Sequence, residues 1–181
     1  MINLKQIIRK TTEVAMIIAI DVHYRTAEAK IVAVQFEYWT DEKPNQVFIE
    51  MKTDILDYES GAFYKRELPC VIEIMKKVDI NAVTCIVVDG YVYLNDADKK
   101  GLGYYVFEHF GNKIPVIGVA KTSFHQNTKN VRPILRGSSL NPLYVSSIGI
   151  NLDEAANWIQ SMFGEFRMPT LLKLMDTLTK E

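Results

Sequence analysis

What this sequence lacks narrows the reading before any motif does. Its 181 residues hold 21 lysines and arginines against 22 aspartates and glutamates, a net charge of −1. No global field pulls the chain towards a polyanion, so any phosphate or nucleic-acid site must rest on local cations or a bound metal. No apolar run approaches the ~20 residues of a membrane span, and no membrane partner is expected. Residues 1–13 carry charges throughout and lack the apolar stretch of a secretory signal. There are only two cysteines, Cys70 and Cys85, both in apolar surroundings and without the paired spacing of a zinc site or redox dithiol. They read as reduced core thiols of a cytoplasmic protein. The three histidines, His23, His109 and His125, do not form a ligand set by spacing. Repeats, low-complexity tracts and linkers are missing too, and the length suits a single domain over residues 1–181.

What is present is organised around Ala82-Val83-Thr84-Cys85-Ile86-Val87-Val88-Asp89-Gly90. A short, nearly unbroken apolar run of this kind is the habit of a strand buried on both faces at the centre of an α/β sheet. An aspartate at its carboxyl end lies at the rim, where open sheets bind ligands. The glycine after it permits a sharp turn and a close approach of substrate. Val14 to Ile20, ending in Asp21, repeats the design. Two buried strands delivering carboxylates to one rim are the beginnings of a metal site. A single strand-end aspartate, by contrast, would read as a turn cap.

The rest of the chain supplies a frame. Residues 1–12 read as a short helix or arm. His23 to Thr26 reads as a turn, and Ala27 to Trp39 and Gln46 to Thr53 as two further strands of an antiparallel meander. A helix is expected from about Tyr64 to Val78, with Leu68, Val71, Ile72, Met75 and Val78 on one face and Glu67 near its start. Pro69 is tolerable there only in the first turn. Leu102 to Phe110 reads as a helix and Val116 to Ala120 as a buried strand with Lys121 at its exit. Val131 to Leu135 and Leu143 to Ser146 read as short strands. Leu152 to Phe163 is a helix capped by Asn151, with Leu152, Ala155, Ala156, Ile159 and Phe163 facing inwards. Pro169 opens a last helix carrying Lys173 and Asp176. His125, Lys129, Arg132 and Arg136 form a basic loop region, open to reading as phosphate contacts or as a solvated surface. The fold class is therefore α/β, a mixed sheet of three antiparallel strands extended by parallel βα units, with helices on both faces.

That order of elements resembles the ribonuclease H-like fold and, more specifically, the endonuclease V family of deoxyinosine 3′-endonucleases. The resemblance runs from Ile18 to Asp176 on six ordered motifs. They are Ala19-Ile20-Asp21-Val22, the segment Tyr58 to Glu67, Val88-Asp89-Gly90, Pro115 to Lys121, Pro142 to Ser146, and Phe166-Arg167-Met168-Pro169. It implies a metal-dependent endonuclease that hydrolyses a phosphodiester near a deaminated purine (inosine or deoxyinosine) in DNA or RNA. The products would carry a 3′-hydroxyl and a 5′-phosphate. Magnesium or manganese, which prefer carboxylate and water oxygens, would be held by Asp21 and Asp89 with Glu67 and Asp176. Glu67 would alternatively orient the attacking water. Lys121 would stabilise the transferring phosphate. Tyr58 would wedge into the gap left by an extruded base, and Gly61, Gly90 and Gly118 would bring bare backbone up to that base.

The chain also departs from the family pattern. Val92 stands where a second glycine usually follows Val-Asp-Gly, and Leu94 to Gly101 has no His-Pro-Arg. A family histidine after the Tyr-Val-Ser block is replaced by Ile148 or Gly149, and a turn proline by Ser60. The carboxylates are kept, while base reading and phosphate handling look altered, with Val92 placed to fill the base pocket. Two alternatives follow: a nuclease that selects nucleic-acid structure without inosine, or a non-catalytic nucleic-acid-binding relative. DNA against RNA preference and oligomeric state stay open.

Overall fold

Apolar, β-branched runs separated by short polar turns build one continuous sheet in this computed structural model, which describes residues 15–57, 59–124 and 126–181. The N-terminal arm, Tyr58 and His125 lie outside the described residues. Seven strands form the sheet: β1 (Met16–Tyr24), β2 (Ala29–Phe36), β3 (Gln46–Lys52), β4 (Val83–Asp89), β5 (Val116–Ala120), β6 (Arg132–Ile134) and β7 (Leu143–Ile148). Among the described residues, four α-helices cover it: α1 (Tyr64–Met75), α2 (Leu102–His109), α3 (Leu152–Ser161) and α4 (Thr170–Lys180). The strand order is β3-β2-β1-β4-β5-β7-β6. β1 pairs antiparallel with β2 and parallel with β4, and β5 continues the parallel set before β7 and β6 reverse it.

Side chains alternate across a strand, so each central strand feeds two cores. Ile17 and Ala19 of β1, Cys85 and Val87 of β4, and Ile117 and Val119 of β5 point to the face covered by α3 and α4. Ile18, Ile20, Ile86, Val88 and Val116 point to the face covered by α1 and α2. Burying an isoleucine such as Ile18, Ile86 or Ile117 completely contributes about 1.5–3 kcal/mol. Both cysteines are free and buried in this layering, Cys70 and Cys85 on opposite faces. Among the described residues, no helix is long and apolar enough to cross a membrane.

Several expectations shift on contact with the fold. β1 does not stop at Asp21. It runs on to Tyr24, because β2 continues to pair with it (Asp21 opposite Val32, Tyr24 opposite Ala29) after the parallel ladder to β4 has ended at Ile20–Val88. The turn expected at His23 to Thr26 accordingly moves on, closed by the Arg25 N–H donating to the Glu28 carbonyl at 2.8 Å. Pro69 sits in the second turn of α1 rather than the first, and the carbonyl it leaves without a helical donor belongs to the exposed Lys65. Asn151 caps α3 as expected, accepting from the N–H groups of Asp153 and Glu154. Phe163, expected inside, is largely exposed. The helix ends at Ser161, and Met162 takes the core position instead.

Candidate metal centre at the sheet rim

The alternation that builds the two cores also aims the carboxylates. Asp21 continues the Ile17–Ala19 face of β1, and Asp89 continues the Cys85–Val87 face of β4, so both turn towards α4. That helix brings Asp176, buried at 6% exposure. One carboxylate oxygen from each of Asp21, Asp89 and Asp176 lies within 4.8 Å of the others. Oxygens across an octahedral magnesium shell are at most about 4.2 Å apart, so a small contraction would fit this hard-oxygen set to such an ion. Glu67 is not in this compact set. It rises from α1, on the opposite face of the sheet, and reaches the same rim from the other side. It is equally buried, at 6% exposure.

Electrostatics mark the site as under-compensated on one side and clamped on the other. Burial raises the Glu67 carboxyl well above the ordinary carboxylate range, the negative charges of Asp21 and Asp89 add to it, and Arg66 offsets only part. Asp89 is raised as well, by burial first and then by Asp21, against the pull of Lys121. Asp176 goes the other way. Burial pushes it up, but hydrogen bonds from Lys121 and Lys180 outweigh that and bring it down to about 2. Lys121 leaves β5 on the α4 face and sets its Nζ 2.6 Å from Asp176 Oδ1 and 3.6 Å from Asp89 Oδ2. Lys180 stands 2.7 Å from the same Asp176 oxygen and Lys173 3.5 Å from the other. Arg167 donates to the Lys121 carbonyl and to the Pro142 carbonyl, tying the strand exit in place.

A pocket of about 630 Å³ opens beside the carboxylates. Glu67, Asp89 and Lys121 line it on the carboxylate side, and Phe63, Tyr64, Tyr91, Leu94 and Phe124 form aromatic and apolar walls. Tyr64 stacks on Tyr105 with ring centroids 3.6 Å apart, and Tyr91 meets Phe124 edge-on at 5.2 Å. Gly61 (φ +78°) and Gly90 (φ +140°) line the pocket, and a side chain at Gly90 would project into open space. Lys99 and Lys100 lie along its side.

Three sequence readings are relocated. Gly118 does not line the pocket. A Cβ there would come within 2.5 Å of the Gly90 carbonyl and 2.6 Å of Ser146 Oγ, so it supports the Gly90–Tyr91 turn from behind. Val92 does not fill the pocket either. It is fully buried, packed towards Gly103 of α2, and its N–H donates to Ser146 Oγ at 3.0 Å. The basic loop region is already committed. Arg136 is buried and donates to the carbonyls of Met162, Gly164 and Phe166. Arg132 pairs with Asp153 and Lys129 with Asp98. Tyr58 lies outside the described residues. Sequence reasoning passed over Thr179 and Lys180, which follow Asp176 at helical i+3 and i+4 spacing and touch the site; that spacing was the available signal.

A family model described as endonuclease V matches residues 2–177. No curated protein sequence matches the chain. Among solved structures, endonuclease V of Ciona intestinalis, bound to a 23mer DNA containing an inosine followed by a ribo-adenosine, superposes with a TM-score of 0.75 at 16% identity. That match covers 94% of this chain and 86% of the other. Endonuclease V of Bacillus subtilis gives a TM-score of 0.72 at 20% identity, covering 92% and 78%. The catalytic domain of human endonuclease V gives 0.71 at 19%, covering 92% and 81%. At such identities the structures speak for the fold, and the family model matches nearly the whole chain: it belongs to the endonuclease V family of nucleases.

Proposed function

We propose that this chain is a single-domain, magnesium- or manganese-dependent endonuclease that cuts DNA or RNA near an inosine. The observation that carries the reading is the meeting of Asp21, Asp89 and Asp176 oxygens within 4.8 Å beside a pocket with aromatic walls. A divalent ion held by these carboxylates would neutralise charge on the scissile phosphate and lower the cost of making an attacking oxygen from water. The protein's own groups divide the remaining work. Glu67, whose carboxyl is held high by burial and its acidic neighbours, is suited to take a proton from water in the pocket it lines. Lys121 is suited to meet the developing negative charge, and its present bond to Asp176 keeps the ammonium at the site.

The pocket suits a flipped purine. Tyr64 and Phe124 offer stacking faces, while Gly61 and Gly90 leave backbone exposed to a base edge. The packing of Val92 into the core removes one motive for reading the pocket as blocked. The absent His-Pro-Arg still favours a second reading, in which the site cuts by nucleic-acid structure without requiring inosine. The two free, buried cysteines fit a reducing cytoplasm.

One assay decides. Labelled oligonucleotides with and without inosine, as DNA and as RNA, are incubated with the protein in magnesium or manganese beside an Asp89→Ala control. Cutting that requires inosine and disappears in the control supports the proposal. Inosine-independent cutting supports the second reading, and binding without cutting in either metal overturns both.

A further inference from the structure

The last turn of α4 does more than carry Lys180. Thr179 follows Asp176 by three residues, so helical spacing sets both on one face, and it is fully buried. Its hydroxyl oxygen lies 2.8 Å from Asp21 Oδ2 and 3.0 Å from the backbone carbonyl of Asp176. A hydroxyl has one proton to donate. The charged carboxylate is the stronger acceptor, so the proton goes to Asp21. The other Asp21 oxygen is held as well, because Oδ1 accepts from the Val22 N–H at 2.9 Å. Each carboxylate oxygen has two acceptor sites. One donor on each therefore leaves one free site per oxygen and fixes the direction in which it points. Thr179 stands beyond residue 177, where the family match ends.

We propose that Thr179 is a positioning residue for the divalent cation. Its hydroxyl fixes the Asp21 carboxylate against the helix that supplies Asp176, so that ligands 155 residues apart in sequence are oriented before a cation arrives. The inference rests on the metal-binding reading of the three aspartates. Partners that orient metal-ligating groups are typically worth 10–100-fold in affinity. A threonine that merely filled the core would behave otherwise. Valine has nearly its shape and would serve as well, whereas serine, lacking the methyl, would serve worse.

The test uses the full chain with Thr179→Val and Thr179→Ser. Mn²⁺ affinity is measured by calorimetric titration, fold by the melting temperature in chelator, and activity by the Mg²⁺ concentration giving half-maximal cleavage. The expected result is that T179V melts close to wild type without metal but binds Mn²⁺ about tenfold or more weakly. Its half-maximal Mg²⁺ concentration rises in step, and T179S restores both. T179V binding Mn²⁺ like wild type, or T179S binding as weakly as T179V, overturns the role of Thr179 alone. Wild-type protein that takes up no Mn²⁺ overturns the metal site as well, so the two failures are distinguishable. If T179V does not fold, T179A set against T179S puts the same question, since only serine keeps the hydroxyl.

Discussion

Two pairs of acidic side chains near the same pocket, Asp96 with Asp98 and Glu67 with Asp89, are pushed in opposite directions by their surroundings. In the loop after β4, Asp96 accepts from the N–H groups of Thr128 and Lys129, both at 2.7 Å, and from the Thr128 hydroxyl at 2.8 Å. Asp98 accepts from Asn130 and pairs with Lys129. Those hydrogen bonds hold both carboxyls below the ordinary carboxylate range. At the rim of β1 and β4, Asp89 and Glu67 are instead raised by burial and by one another's neighbours. Asp96, with three of its four acceptor sites filled by the segment after β5, serves to join loops. Buried carboxylates crowded with like charge are tolerated where a positive group can come to meet them. Lys121 and Lys180 supply part of that charge at Asp176 and leave Glu67 with little.

The sharpest break in the comparison comes from removing a charge at the rim. Asp89→Asn is expected to lower cleavage of an inosine oligonucleotide by about a thousandfold or more, the equivalent of roughly 4 kcal/mol of lost charge stabilisation. A loss of less than tenfold in single-turnover cleavage would place the chemistry elsewhere. Lys121→Ala should cost about a hundredfold, in the range for removal of one charge-stabilising donor. Its Mn²⁺ binding should hold or tighten, because Asp176 is freed of a competing cation. Loss of Mn²⁺ binding in that variant would show that the lysine organises the carboxylates instead of meeting the phosphate.

Glu67 sharpens the contrast through stability. Its folded carboxyl sits well above the unfolded value of about 4.3. The sign follows from linkage: a raised folded value contributes stability that is complete below the unfolded value and is lost as pH rises through the folded one. Without metal, the melting temperature should therefore fall as pH rises through that range. Glu67→Gln should flatten the slope and raise the melting temperature near neutral pH by about 2–4 °C, the shift that about 1 kcal/mol produces in a domain of this size. Cleavage should fall at the same time. A lower melting temperature in this variant would mean that Glu67 is well compensated and belongs with Asp96.

Much of this was legible in the sequence, and the misreadings have physical causes. The buried strands, their order and the helices between them follow from apolar runs and helical spacing, which report local burial directly. The rim carboxylates follow from where the runs end. Glu67 and Asp176 were read alike as joining Asp21 and Asp89, without the side from which each arrives. Period-two alternation already sets Ile17, Ala19 and Asp21 on one face, but only the topology shows that α4 covers that face and α1 the other. Val92 misled for a related reason. A branched residue at a family glycine position was read as entering the pocket, when its side chain packs against Gly103 of α2. Arg136 looked like a surface cation because sequence does not show that carbonyls of the segment between α3 and α4 converge on it.

The smallest expected effect tests whether the two acidic groups are separate at all. Asp96 holds the pocket-lining loop of Leu94, Asn95 and Lys99 to Thr128 and Lys129 in the segment after β5. Asp96→Ala removes acceptors for two backbone N–H groups that solvent can partly replace, since the side chain is exposed. The melting temperature should drop by only a few degrees. Slackening of the wall should raise KM for an inosine oligonucleotide several-fold and leave Mn²⁺ affinity and the maximal rate near wild type, as expected when binding is lost equally from ground and transition states. If Asp96→Ala instead weakened Mn²⁺ as strongly as Thr179→Val is expected to, the loop carboxylates would be part of the cation's support. The division between joining acids and ligating acids would then fail.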